Sequence, residues 1–518
     1  MPNPSASLNH KIAALCLAAL FSGLAAHGQN PQGAGAPASV EERLVAVRGL
    51  KIDAGTISLV EHEVAPTLPG ADARAPKNLP PRTVVKLLLQ PAKGSNINVE
   101  IWLPEPVAWN SRLLGLGNGG SAGHISPGTL AGPMSGGYAA VTTDMGTAPN
   151  ADSGVGNPEV WRDFGYRATH LMTVAAKQVV AAYYGKAPEL SYFSGGSTGG
   201  QQALQEAQRY PEDYDGITAA VPAHCRTPLH AYFLWNDQIL KKTAFTKSQS
   251  DHVVAAGTEY LAARETPPVA GKFVSDPRCD RKDIEAVVAL ALKKDPTLTP
   301  EHAEALRKLF DGPRHSVTGE RIFNGIPFGA SLEAAHGHLY LFKWVFGADK
   351  KTDDLNFGAD IDTYTAALAP WLNAENPDLS AFEKRGGKLI ITTGAADSVV
   401  PCHATLDYYE RVIEHFGSLE KAKSFCLLYL IPGMAHGGGP GVQPPGLLEL
   451  VRTWREKGTG PGALTGRRVV DGKTELEMPL YPYPTRTGWD AATSAFKPVD
   501  GPRGGVERVA ERFRPPAK

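Results

Sequence analysis

Leu190-Ser191-Tyr192-Phe193-Ser194-Gly195-Gly196-Ser197-Thr198-Gly199-Gly200 is the stretch on which the fold turns. Its first four residues predict a strand, and apolar spacing predicts a helix over 198–209. Between them, Gly195-Gly196-Ser197-Thr198-Gly199 matches G-x-S-x-G. In isolation those letters describe any glycine-rich turn that holds a serine. Placed between a strand and a helix they describe a tight elbow that lifts the Ser197 hydroxyl above the sheet edge. The flanking glycines tolerate the strained backbone and leave room for the helix. The helix N-terminus adds backbone N–H groups and a positive dipole end.

Moving outward, the same alternation recurs. Runs at 84–89 and 98–103 predict strands of an initial sheet, followed by strands at 112–116 and 138–143, a helix over 166–183 and a strand at 216–221. The alternation stops near 225 and resumes with a strand at 388–393, a helix over 404–415, a strand at 424–430 and a helix over 446–457. Strands alternating with helices imply a doubly wound, mostly parallel sheet of the α/β class. Residues 226–384 carry charge clusters and few β-branched runs, so they predict a helical, lid-like insertion. The expected organisation is one α/β domain in two parts, 41–225 and 385–518, interrupted by a lid domain at 226–384. A length of 518 residues suits one large domain with an insertion or several domains. No internal repeat is evident.

A serine is a poor nucleophile until a base takes its proton. A sheet of this kind with a nucleophile elbow orders its partners Ser, then Asp or Glu, then His. Asp397 follows the strand at 388–393, where an orienting carboxylate belongs. His436 lies in the loop Pro432-Gly433-Met434-Ala435-His436-Gly437-Gly438-Gly439, after the next strand. Ser197, Asp397 and His436 are therefore the candidate catalytic residues, with His436 as general base and then general acid. The competing readings are a helix N-cap for Asp397 and a surface loop histidine for His436. For an oxyanion hole, Gly117-Asn118-Gly119-Gly120 follows a strand and offers the N–H of Gly120, with Gly119 second, beside the N–H of Thr198.

The same loop spells Gly115-x-Gly117-x-x-Gly120, and Asp144 ends a strand further on, as in a dinucleotide fingerprint. Residues 121–137 are too rich in Gly and Pro to be the helix that motif must open. His224-Cys225 and Cys402-His403 suggest metal or thiol chemistry but lack partners at useful spacing, so they read as structural.

The formal net charge of −1 gives no electrostatic footprint for nucleic acid or an anionic membrane. His10 and Lys11, the apolar run 12–26 and the small residues of Ala26-His27-Gly28 predict a signal peptide over 1–28, cleaved before Gln29. The run is about 15 residues, short of the ~20 needed to span a bilayer. The expected location is secreted or periplasmic, with no membrane attachment after signal removal. Export leaves Cys225, Cys279, Cys402 and Cys426, which allow three pairings. Cys402 and Cys426 are the pair to test first, against the alternative of four buried thiols.

Taken together, the chain resembles the tannase and feruloyl esterase family, which includes mono(2-hydroxyethyl) terephthalate hydrolases. The resemblance spans roughly residues 85–485. It rests on Ile101-Trp102-Leu103-Pro104, Asp163-Phe164-Gly165-Tyr166-Arg167-Ala168, Ser197-Thr198-Gly199-Gly200 through Glu206-Ala207-Gln208-Arg209-Tyr210-Pro211, Asp407-Tyr408-Tyr409-Glu410-Arg411 and Tyr481-Pro482-Tyr483-Pro484. It implies an α/β-hydrolase fold with an inserted lid, cleavage of esters of aromatic carboxylic acids, and a triad on Ser197, Asp397 and His436. Two departures stand out. The family's disulfide next to the nucleophile and the histidine falls here on Gly196 and Gly437, so that bridge is absent. The aspartate-rich calcium loop of the family lid falls on Glu265-Thr266-Pro267-Pro268-Val269-Ala270-Gly271-Lys272, before Asp276-Pro277. That stretch lacks the oxygen ligands calcium requires, so no lid calcium, no other metal and no cofactor is expected. Phe342, Trp344, Phe346 and Trp371 are candidate walls of an acyl pocket, against ordinary core packing. The expected partner is a small-molecule aromatic ester; the oligomeric state is not indicated. The alternatives are an acyl hydrolase of other specificity, aliphatic esterase or peptidase, and a non-catalytic binding protein on the same scaffold.

Overall fold

The structure is a computed structural model that describes residues 39–65, 67–68, 78–264, 275–278, 280–333, 337–490, 492–505 and 507–514. The expected signal peptide and the expected loss of the calcium loop at 265–272 fall outside these residues, as does Cys279.

Nine strands form one sheet: β1 (Gly55–Glu63), β2 (Arg82–Leu89), β3 (Ile97–Pro104), β4 (Arg112–Leu116), β5 (Ala139–Thr143), β6 (Leu190–Gly196), β7 (Gly216–Ala220), β8 (Lys388–Gly394) and β9 (Cys426–Ile431). Their spatial order is β1-β2-β3-β5-β4-β6-β7-β8-β9. β1, β2, β3 and β5 pair antiparallel, and β5-β4-β6-β7-β8-β9 pair parallel. The class is α/β and mostly parallel, as the alternation implies. Chain direction across the sheet reverses at β4, whose neighbours are β5 on one side and β6 on the other. Open sheets bind ligands at such a switch point, outside the carboxyl ends of the strands.

Period-2 geometry divides each central strand between two cores. Leu389 and Ile391 of β8 and Leu428 of β9 face one, with Ala176, Val180 and Leu204 of the helices Ala168–Tyr184 and Thr198–Arg209. Ile390, Leu427 and Tyr429 face the other, with Leu130, Val451 and Trp454. Between β7 and β8 the described chain runs through helices at Arg226–Lys242, Lys247–Arg264, Arg281–Lys294, Pro300–Asp311, Tyr340–Phe346, Ala359–Leu372 and Ser380–Lys384 and adds no strand to the sheet. Val253, Leu306 and Phe323 of this segment belong to the same core as Ile391. The inserted helices thus share a core with the sheet and do not enclose one of their own.

Three local expectations need correction. Residues 121–137 do contain a helix, Pro127–Ser135, because Pro127 occupies the first turn, where its missing N–H costs nothing, and Leu130 and Met134 are buried. It starts well past Gly120, so the glycine loop still does not open it. The helix expected at 166–183 begins at Ala168 and is preceded by a helix at Pro158–Arg162 and a π turn at Asp163–Arg167. Cys402 and Cys426 are not bridged: both are buried, and Cys426, like Cys225, is a free thiol. Burial pushes the thiols of Cys225 and Cys426 up, which makes them inert. After β9 come a helix at Leu447–Lys457 and two hairpins, Leu464–Val470 with Lys473–Leu480 and Arg486–Asp490 with Ala495–Val499. Neither hairpin was expected from the sequence.

Candidate active site

Four loops leave the carboxyl ends of β4, β6, β8 and β9 and converge. β6 ends at Gly196, and Ser197 follows at φ 58, ψ −117, an uncommon conformation for a residue with a side chain. The turn is held by backbone bonds: Ser197 N–H donates to Ala220 C=O at 2.9 Å, and the N–H groups of Gly200, Gln201 and Ala223 all donate to Ser197 C=O. Close approach explains two glycines. A Cβ on Gly195 would lie 2.2 Å from Gly199 C=O, and one on Gly117 would lie 2.5 Å from Gly199 Cα.

Asp397 sits three residues past β8 with its side chain fully buried. Its Oδ1 accepts the N–H groups of Val399 and Val400, both at 2.9 Å. Its Oδ2 lies 2.9 Å from His436 Nδ1, and His436 Nε2 lies 3.0 Å from Ser197 Oγ. With Nδ1–H directed to the carboxylate, Nε2 is the acceptor for the Ser197 hydroxyl. The His436 side chain is 25% exposed. Its loop is braced by Ala435 N–H to Gly438 C=O at 2.8 Å, and Ala396 N–H to Met434 C=O at 3.0 Å ties it to the Asp397 loop. Ser197, His436 and Asp397 thus form one continuous hydrogen-bonded chain.

The glycine loop after β4 lies against the elbow. Gly199 N–H donates to Asn118 C=O at 2.7 Å, and Asn118 N–H donates to Gln202 Oε1 at 2.8 Å. Gly120 is at φ +56. Its carbonyl accepts the Thr198 hydroxyl at 2.6 Å. The Thr198 N–H is in the first turn of its helix, where N–H groups have no intrahelical acceptor.

A cavity opens beside Ser197. Gly120 and Thr198 line it together with Arg226, Leu229, His230, Phe233, His338, Tyr340, Val399 and Val400. None of the four aromatic candidates does. Phe342 stacks on Tyr364 at 4.3 Å, Trp344 donates its indole N–H to Ala151 C=O, and Trp371 lies under Arg162. Apolar walls drawn from Tyr340 and Phe233 were not singled out in the sequence. The signal for Tyr340 was its place at the start of an aromatic-rich helix, Tyr340–Phe346.

Other chemistry-bearing pairs are structural. His224 is buried and held down to about 3 by desolvation and the Arg411 charge; His403 is buried and lowered to about 4, mainly by desolvation. Asp144, the false fingerprint acid, accepts from Asn98 of β3 and from Gly146 of its own turn. His170, Glu206 and Asp213 bring potential ligand atoms within 4.8 Å of one another. His170 Nδ1 is 2.6 Å from Asp213 Oδ2, a hydrogen-bond length, and Lys177 Nζ donates to Asp213 C=O. Burial, and then the neighbouring Asp213 carboxylate, push Glu206 well above the usual carboxylate range.

A family profile described as "Tannase and feruloyl esterase" matches residues 83–357 and 337–500. The chain belongs to the tannase and feruloyl esterase family. It is a carboxylic ester hydrolase, and its substrates are small-molecule esters. It is 29% identical to an uncharacterized esterase of Xanthomonas campestris pv. campestris, over 88% of this chain and 91% of the relative. It is 29% identical to a probable feruloyl esterase B-2 of Aspergillus flavus, over 76% of this chain and 82% of the relative. It is 26% identical to the mono(2-hydroxyethyl) terephthalate hydrolase of Piscinibacter sakaiensis, over 76% and 79%. The fold matches the crystal structure of feruloyl esterase B from Aspergillus oryzae with a TM-score of 0.74 at 21% identity, covering 88% of this chain and 100% of that one. It matches tannin acyl hydrolase from Aspergillus niger with the same TM-score of 0.74 at 19% identity, covering 92% and 98%. Among the described residues of this family member, no helix is long and apolar enough to cross a membrane.

Proposed function

We propose that this esterase is an exported serine hydrolase that cleaves esters of aromatic carboxylic acids through an acyl-enzyme. The observation that carries the mechanism is the Ser197–His436–Asp397 chain, with contacts of 3.0 Å and 2.9 Å. His436 Nε2 takes the Ser197 proton as Oγ attacks the ester carbonyl. The N–H groups of Gly120 and Thr198 receive the oxyanion. His436 then gives its proton to the leaving alcohol, and Asp397 fixes the tautomer and stabilises the imidazolium. A water deprotonated by His436 releases the acid by the reverse sequence. Every step uses groups of the chain, so the reading calls for no metal and no cofactor, and for no lid calcium. The same reading takes 1–28 as the export signal, 226–384 as the lid and a secreted or periplasmic location, with no nucleic acid or membrane partner.

Aromatic specificity is supported by Phe233 and Tyr340 beside Ser197 and by the acyl groups in the names of the feruloyl and terephthalate esterases it resembles. The test is stoichiometric labelling of Ser197 by an organophosphonate, followed by kcat/KM on matched aromatic and aliphatic p-nitrophenyl esters. One label per chain and a preference for aromatic acyl groups are expected. Absence of labelling refutes the serine mechanism, and a preference for aliphatic acyl groups refutes the specificity.

A further inference from the structure

Arg226 begins the first inserted helix and is 3% exposed. Among the described residues, no carboxylate lies within ion-pair distance of it. A buried guanidinium without a counter-charge is costly, and here its hydrogen bonds go to the parts of the site that hold the oxyanion. Nη1 donates to Thr198 Oγ1 at 3.1 Å, and Nη2 donates to Gly120 C=O at 3.0 Å and to the Tyr340 hydroxyl at 2.6 Å.

We propose that Arg226 is a positioning residue for the oxyanion hole, which it holds by clamping Gly120 to Thr198. This rests on the reading of Ser197 as nucleophile. The glycine loop is anchored at Asn118, through Gln202 and Thr143, and again at Ser121 and Gly123, where Thr147 Oγ1 donates to Ser121 C=O and Gly123 N–H donates to Asp144 C=O. Between those anchors stand Gly119 and Gly120, with no side chains to limit rotation. Two donors on the Gly120 carbonyl, Arg226 Nη2 and Thr198 Oγ1, fix the 120–121 peptide and restrain the adjoining N–H of Gly120. Thr198 Oγ1 has one hydrogen to give; accepting from Arg226 leaves that hydrogen for Gly120. The guanidinium plane reaches three acceptors at once, which an ammonium on a flexible stem does not reproduce. Through Tyr340 the same plane links the hole to a second inserted helix.

The test compares Arg226→Lys, Arg226→Met and Thr198→Val on two probes, a neutral p-nitrophenyl benzoate and its para-carboxylate analogue. Thr198→Val cuts both hydroxyl bonds without enlarging the side chain, so the question stands even if an Arg226 variant fails to fold. The expected result is a fall in kcat of about 10–100-fold on both probes, below the 10²–10³ of losing a hole donor outright. KM should stay within about threefold, Arg226→Lys should not rescue, and the Arg226→Lys and Thr198→Val losses should not multiply in the double variant. Ser197 should still label with organophosphonate, one per chain, more slowly than wild type. Wild-type kcat in the variants that fold overturns the proposal. So does a loss confined to KM for the carboxylate probe, which assigns Arg226 to substrate charge. A wild-type enzyme that does not label at all refutes the nucleophile itself, a result distinct from either.

Discussion

Asp397 divides its carboxylate: Oδ2 meets His436 Nδ1 at 2.9 Å, while Oδ1 holds its own loop through the N–H groups of Val399 and Val400. Asp397→Asn keeps an oxygen for the loop but presents an amide to the imidazole, and the wrong tautomer results. The expected loss is about 10³–10⁴ in kcat with a nearly unchanged melting temperature. A variant with most of its activity retained would remove Asp397 from the mechanism.

The elbow glycines divide sharply. A Cβ on Gly195 meets Gly199 backbone at 2.2 Å, whereas a Cβ on Gly196 meets only Ala220, at 3.6 and 3.7 Å. Gly195→Ala should cost about 1–3 kcal/mol by overpacking and most of the activity. Gly196→Ala should stay within about 0.5 kcal/mol. Urea unfolding of the pair checks this, and equal effects would contradict the packing described.

Glu206 is fully buried, and burial followed by Asp213 raises it above its unfolded value. Its stabilisation is therefore present below the unfolded carboxylate range and is lost as pH rises through the raised native value. Glu206→Gln should remove that loss. Its stability relative to wild type should improve as pH rises above about 4. Urea titrations at several pH values read the difference; parallel profiles for the two proteins would contradict it.

His224 and His403 act at the other end. Desolvation, with Arg411 beside His224, lowers them to about 3 and about 4. Stability is present above the unfolded value near 6.5 and is lost as pH falls toward the native values, because only the unfolded chain takes up these protons. The slope approaches roughly 1.4 kcal/mol per pH unit for each histidine. His224→Gln should flatten the acid limb of the denaturation profile between about pH 6 and pH 4. An unchanged limb would show that His224 does not carry it.

Ser197, Asp397 and His436 were legible because each is tied to a strand end, and strand ends are local pattern. The reversal at β4 that brings Gly120 beside Thr198 was not read from the alternation, because strand order is set by long-range pairing. What was not legible depends on where the inserted helices land. Arg226 was not singled out, and its three acceptors, on one loop and two helices, stand 28 to 114 positions away in the chain. Phe342 and Trp344 were candidate pocket walls for which core packing was the favoured alternative, and packing put them in the core and Tyr340 at the cavity. The helix Pro127–Ser135 was hidden by composition, because burial of Leu130 and Met134 outweighs poor intrinsic propensity.

Gly196 and Gly437 stand where the family resemblance implies a disulfide, and among the described residues no disulfide connects the serine turn to the histidine loop. Ser197 and His436 meet through a hydrogen bond and braced loops. Their pairing therefore requires no oxidant during maturation, and a reductant such as dithiothreitol has no bond to cut between them. The Ser197–His436 pairing is, in that sense, indifferent to the redox state of its surroundings.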